Sequence, residues 1–247
     1  MSGRTGGQVF LTAQWRHLVM LNFVVDPAVL EERIPDGCEL DRFAGRTFVS
    51  VVGFRFLDTR VLGMPVPFHR DFDEVNLRFY VRRDTAGETR RGVVFVKELV
   101  PRRLVAAVAR WVYGERYVAL PMRHRIDLDG ERPGGGGSVG YGWRRRGRWE
   151  EVFASFSGAA EPPADGSEEA FVTEHYWGYA RQRDGSTVEY RVEHPRWRVW
   201  RAEEAALRCD AASLYGAQLG AALVGSPTTA FVADGSAVVV HRGRRIV

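Results

Sequence analysis

Residues 69–81, HRDFDEVNLRFYV, decide how this chain is read. They crowd His69, Arg70, Asp71, Asp73, Glu74 and Arg78 beside an apolar set that recurs at every second position. Extended backbone sends alternate side chains to opposite faces, so Val75, Leu77, Phe79 and Val81 share one face and Glu74, Asn76, Arg78 and Tyr80 the other. The first face must be buried. The second either meets water, the usual arrangement for such a strand, or lines an enclosed polar cavity.

The neighbouring segments read mostly as further strands. On one side, 15–25 (WRHLVMLNFVV) runs into 26–35 (DPAVLEERIP), where Asp26 can cap a helix, Pro27 suits its first position and Pro35 ends it after about two turns. Residues 46–62 form a long strand interrupted at Gly53, read as a bulge or bend. On the other side, 91–100 (RGVVFVKELV) is the next strand, and Leu104, Val108 and Val112 recur at helical spacing. Strands follow at 117–128 and 140–158, the latter a hairpin turning at Arg146 and Gly147. Ser167 can cap a short helix running into 173–180 (TEHYWGYA). Strands at 186–194 and 196–205, a helical 210–225 and a last strand at 230–242 complete the pattern. Many antiparallel strands with few helices predict an α+β, mainly antiparallel β domain built on a large sheet or barrel. Residues 1–9, small and polar, read as a disordered tail, and 10–247 as one domain.

Bulk properties exclude more than they assign. The 247 residues are 45% hydrophobic, enough for a substantial core, and no run approaches the length of a membrane span. The start lacks the apolar core of a signal peptide, so a soluble, cytoplasmic protein is expected. A formal charge of +4 arises from 35 basic against 31 acidic residues with no long block of either sign. The arginine clusters WRRRGRW and HRGRR sit at a hairpin end and a chain end, where charge is exposed anyway, so no nucleic-acid partner is expected. Cys38 and Cys209 lack metal-type spacing and read as small buried thiols. The glycine run 132–142 lacks the Lys-Ser or Lys-Thr pair and following helix of a phosphate cradle and reads as a hairpin connection. Lys97 is the only lysine.

The order of motifs, LTAQWRHLVMLNFVVDPAVLEERIPDGCELD, GRTFVSVVGFRFLDTRVLGMPVPFHRDFDEVNLRFYVRR, RGVVFVKELVPRRLVAAVARWVYGERYVALPM and EEAFVTEHYWGYARQRDGSTVEYRVEHPRW, resembles the YqjF-like proteins, a bacterial family of unknown function. The resemblance spans nearly the whole chain beyond residue 8. That family is more distantly similar to the acetoacetate decarboxylase-like superfamily, which implies a β-barrel or cone with a few short helices packed outside and a ligand cavity inside. Glu74 looks like the superfamily's cavity glutamate, and 105–117 (VAAVARWVYGERY) like the helix and turn that carry its catalytic lysine. Here the turn reads YGERYV. Tyr117 and Val118 stand where lysines are expected, and Arg116 stays protonated and is no nucleophile. The lysine Schiff-base mechanism of acetoacetate decarboxylase is therefore not expected.

With a cavity implied, the polar face of 74–80 becomes its lining. Arg78 can meet an anionic end of a ligand, Glu74 can act as base or acceptor, and Asn76 and Tyr80 can hydrogen-bond it. Tyr113 and Tyr117 flank the turn of the missing lysine and are candidates for proton donor or pocket wall. His175, Tyr176 and Trp177, with Tyr179, combine aromatic bodies with polar tips, the mixture that lines pockets; satisfied core residues have the same composition. His69, Asp71, Asp73 and Glu74, with His124 or His175, lack the tight spacings of metal ligands, and neither a metal nor another cofactor is expected. No Gly-x-Ser-x-Gly elbow occurs. The expectation is a protein that binds a small polar or carboxylate or carbonyl ligand, either as an enzyme without Schiff-base chemistry or as a non-catalytic sensor or interaction module. A membrane partner is not expected, and the sequence allows an oligomer without specifying one.

Overall fold

The structure, a computed structural model, describes residues 7–66, 70–101, 117–128 and 135–247. The expected helix around 104–112, His69 and Tyr113 lie outside the described residues. Fifteen strands are described, in the order β1 (Val9–Val25), β2 (Glu39–Leu40), β3 (Thr47–Val61), β4 (Met64–Pro65), β5 (Phe72–Thr85), β6 (Glu88–Val100), β7 (Tyr117–Ala119), β8 (Met122–Leu128), β9 (Gly136–Arg145), β10 (Arg148–Ser157), β11 (Trp177–Arg181), β12 (Thr187–Glu193), β13 (Val199–Arg208), β14 (Thr229–His241) and β15 (Arg244–Arg245). Three short helices accompany them, α1 (Glu168–Thr173), α2 (Ala211–Tyr215) and α3 (Ala217–Ala222). The described structure is thus mainly antiparallel sheet with few helices. The exceptions are two parallel pairings, β6 with β7 and β6 with β11.

Pairing runs β12-β11-β6-β5-β3-β1-β14, and Val192 and Glu193 of β12 pair again with Val240 and Val239 of β14, so the order of pairings returns to its start. From β14 the sheet continues through β13, β10 and β9 to β8. The two faces of β5 enter two different apolar clusters. Val75, Leu77, Phe79 and Val81 are fully buried against Val139, Tyr141 and Trp143 of β9, Val152 of β10, and Leu214, Tyr215 and Leu219 of the short helices. Phe72 and Tyr80 belong to the other cluster, with Phe54, Phe56, Phe171 and Trp197.

Gly53 is a close approach rather than a free bend: a Cβ there would lie 2.6 Å from the Tyr141 ring that crosses it. The irregularity falls on the partner strand, where β1 shifts register between Arg16 and Val19. The β9–β10 hairpin turns at Arg146 and Gly147, whose φ values of 49° and 81° are those of the mirror-image turn that matches strand twist. Its first strand begins at Gly136, inside the glycine run read as a connection.

Three helix expectations change. Asp26 does accept from the Ala28 amide at 2.9 Å, but the segment forms only two 3-10 turns, Pro27–Val29 and Glu31–Arg33. Pro35 forces Ile34 into the extended region, and no side chain caps the second turn. Ser167 caps α1 as expected, yet the helix stops at Thr173 because Trp177 and Gly178 are taken by ladders to β6 and β12. The 210–225 helix is split by Gly216, which adopts a φ of 96°. Cys38 and Cys209 are both free thiols, pushed up to about 12 by burial and therefore poor nucleophiles. Among the described residues, no helix is long and apolar enough to cross a membrane.

Candidate functional site

On the polar face of β5, Glu74 and Asn76 are buried and Arg78 is half-buried. Glu74, Asn76 and Arg78 line a cavity of about 340 Å³, within the range of small-molecule sites. Around them the strands contribute mostly rings: Trp15 from β1, Phe54 and Phe56 from β3, Phe95 from β6, Trp177 and Tyr190 from β11 and β12, and His194 and Trp197 from the segment after β12.

Glu98 joins this face through a bulge. Leu77 pairs with Lys97 but Arg78 pairs with Phe95, so one residue of β6, Val96, is extra. Simple alternation would group Lys97 with Phe95. The bulge instead leaves Phe95 and Glu98 lining the cavity and turns Lys97 to the opposite side, where its ammonium donates to the Leu214 carbonyl and lies 6.0 Å from the Tyr215 ring. The only lysine of the chain is therefore not a lining residue.

The polar groups form an ordered row. The Asn76 amide donates to Glu74 Oε1 at 3.0 Å, and Asn76 faces Glu98 across the β5–β6 ladder. Arg78 donates through Nη2 to the Val172 carbonyl at 3.0 Å, and its guanidinium carbon sits 5.7 Å from the centre of the Tyr80 ring. Asn76 Oδ1 and Arg78 Nε have no hydrogen-bond partner among the described residues. Tyr80 itself stands behind the wall. Its hydroxyl is 2.6 Å from Ser50 Oγ, which donates to Asn22, and that buried chain fixes the ring that backs Arg78.

His175 packs 4.7 Å from the Tyr80 ring and 5.0 Å from Phe171. Its Nε2 lies 3.0 Å from Asp41 Oδ2, which also accepts from Arg91 Nε at 2.7 Å. A carboxylate only accepts, so Nε2 carries the proton and Nδ1 is a lone pair, with no partner among the described residues. Burial pulls His175 down to about 4, with Arg91 and Arg78 adding to it and Asp41 opposing. Burial likewise would raise Asp41, but the hydrogen bonds from His175 and Arg91 override it and hold the carboxyl below its usual range. His194 stacks on Trp197 at 4.2 Å, donates from Nδ1 to the Pro195 carbonyl at 2.9 Å, and is also brought by burial to about 4. Both imidazoles are neutral near pH 7.

Of the residues singled out in the sequence, the structure brings Glu74, Asn76, Arg78, Tyr117, His175 and Trp177 to the cavity. Tyr80 and Tyr176 are not lining residues; Tyr176 packs 4.9 Å from His194. Tyr179 points to the opposite cluster, its hydroxyl 3.3 Å from Glu189. Asp73 is bound by His124 at 2.9 Å and Arg55 at 3.3 Å, and no group of three or more metal-ligating side chains exists among the described residues. Sequence reasoning missed Glu98, His194, Trp15 and Trp197. The bulge hides Glu98 from alternation. His194 and Trp197 are three residues apart, but Trp15 is distant in sequence and meets them only through the β1, β14 and β12 pairings.

The fold and the sequence have known relatives. Solved structures similar to this chain include the enduracididine biosynthesis enzyme MppR complexed with pyruvate, 14% identical with a TM-score of 0.68 over 99% of this chain and 92% of that one. Acetoacetate decarboxylase from Legionella pneumophila is 12% identical with a TM-score of 0.66, over 97% and 88%. These likenesses show an acetoacetate decarboxylase-like fold. The uncharacterized protein YqjF of Bacillus subtilis (strain 168) is 25% identical over 193 residues, 76% of this chain and 74% of that protein. The DUF2071 model of uncharacterized conserved proteins matches residues 12–237, and the chain belongs to that family.

Proposed function

We propose that the seven strands whose pairings form a circuit act as a barrel around a ligand, and that the ligand is a small carboxylate or carbonyl compound with an apolar body. The observation that carries this reading is the composition of the cavity: aromatic walls converging on one row of Glu74, Asn76, Arg78 and Glu98. Rings accept an apolar body through burial, and a guanidinium beside an amide and a neutral imidazole recognises a carboxylate next to a carbonyl. A Schiff base has no support here, because Lys97 is held by Leu214 on the far side of β6. The chemistry open to such a site is proton transfer and polarisation of the carbonyl. A sensor that binds the same ligand without turning it over is the second reading, favoured by the absence of a lysine, cysteine or serine among the described lining residues.

Thermal melts with a branched 2-oxo acid, 4-methyl-2-oxopentanoate, test the ligand class. A ligand about a hundredfold above its Kd stabilises by about 2.7 kcal/mol, several degrees for a chain of this length. A rise for the oxo acid and none for the uncharged 4-methyl-2-pentanone supports the reading. Equal melts for both, with no rise, contradict it.

A further inference from the structure

We propose that His175, oriented by Asp41, is the proton-transfer group of the cavity and acts through Nδ1 on carbon next to the carbonyl of a bound 2-oxo acid; this rests on the ligand class just proposed. Three independent features of geometry converge on it. The Asp41 carboxylate accepts a hydrogen bond from the Nε2–H and is itself fixed by Arg91 at 2.7 Å, so the imidazole has one tautomer and one orientation. The ring is held between Tyr80 and Phe171, and its side chain is almost fully buried, yet it lines the cavity. Its Nδ1 finds no partner among the described residues, an arrangement that costs energy unless the atom serves a ligand.

The same Tyr80 ring carries the Arg78 guanidinium. With Arg78 at 5.7 Å and His175 at 4.7 Å from that ring's centre, a carboxylate bound to Arg78 would bring the adjoining carbonyl and its neighbouring carbon towards the imidazole. In the step, a C–H bond at C3 breaks and its proton goes to Nδ1. The electron pair forms the C2–C3 double bond, and the carbonyl π pair moves to oxygen as an enolate. The imidazolium faces Asp41, whose charge stabilises it, and returning the proton to C3 restores the oxo acid. No oxidant or second substrate is needed. Burial keeps the imidazole neutral in the resting state. Asp41 is a positioning residue; it does not touch the ligand.

The reversible step is visible without knowing any later product. In D2O, 4-methyl-2-oxopentanoate should lose its C3 proton signal by NMR faster with the protein than in buffer, while saturation-transfer NMR on the same samples reports binding. His175→Gln should slow the protein-dependent exchange by at least about a hundredfold with binding retained. Asp41→Asn should slow it by about tenfold and change the tautomer of His175, read from its 15N shifts. Lys97→Met should exchange at the wild-type rate. Binding without exchange in the wild type, exchange undiminished in His175→Gln, or exchange lost in Lys97→Met would each overturn the proposal while leaving the ligand class standing. Absence of binding to the wild type would overturn both. If His175→Gln fails to fold, Asp41→Asn decides: an unchanged rate together with a changed tautomer overturns the proposal.

Discussion

Glu189 and Glu74 are both buried carboxylates on strands, and they are used in opposite ways. Glu189 of β12 accepts from Arg90 at 2.8 Å, Arg244 at 2.8 Å and Arg83 at 3.2 Å, and from the Tyr179 hydroxyl at 3.3 Å. Those donors come from β6, β15, β5 and β11, so one carboxylate ties four strands to a fifth. Glu74 accepts from the amide of Asn76, two residues along its own strand, in a row that lines a cavity of about 340 Å³. Identical chemistry thus serves cohesion at one place and, on the function proposed above, recognition at the other; what separates them is whether the row looks onto other strands or into a cavity.

The largest expected effect lies on the cohesive side. Glu189→Gln removes the charge that compensates three guanidiniums and should cost about 3 to 5 kcal/mol in urea unfolding. A loss below about 1 kcal/mol would mean that the cluster is a surface network and would erase the contrast. Next comes acid sensitivity, which should originate in the cavity. His175 and His194 are neutral when folded, at about 4, and ordinary near 6.5 when unfolded, so the unfolded state binds protons first. Their stabilisation is complete above pH 6.5 and is lost as pH falls from 6.5 through about 4, roughly 3 kcal/mol for each histidine. Urea unfolding at steps across that window should show the decline, and His175→Gln should flatten it. A profile as steep in the variant as in the wild type would place the acid sensitivity elsewhere.

The third effect is on binding. Arg78→Met should weaken 4-methyl-2-oxopentanoate by about ten- to hundredfold, roughly 1.5 to 3 kcal/mol, measured by calorimetric titration. Its ligand-free melt should fall little, since among the described residues the losses are the bond to the Val172 carbonyl and the contact with the Tyr80 ring. The smallest effect belongs to Lys97→Met. Loss of its bond to Leu214 should cost about 0.5 to 1.5 kcal/mol of stability with binding unchanged. A variant of Lys97 that abolished binding would mean that β6 presents its lysine, and not Glu98, to the ligand.

How much of this was legible depended on whether a strand kept its period. On β5 it did, and the split of Val75, Leu77, Phe79 and Val81 from Glu74, Asn76 and Arg78 could be read directly from alternation. On β6 alternation alone left the sides of Lys97 and Glu98 open, because the one extra residue, Val96, is a bulge set by the partner's register that nothing in RGVVFVKELV marks. Caps were legible where a side chain makes them, at Asp26 and Ser167. Helix length was not, because the competing ladder that claims Trp177 and Gly178 is formed with residues about 85 positions away. The aromatic end of the cavity was illegible for the same reason: Trp15 becomes a neighbour of His194 and Trp197 only once β1, β12 and β14 have paired.

Native mass spectrometry of freshly purified protein tests most directly the claim that the row on β5 exists to hold a small molecule. The wild type should carry an added mass that is released on denaturation, and Arg78→Met, folded to the same melting point within a few degrees, should carry it at much reduced occupancy. A wild type at its bare mass, or a variant as fully occupied as the wild type, would contradict the account.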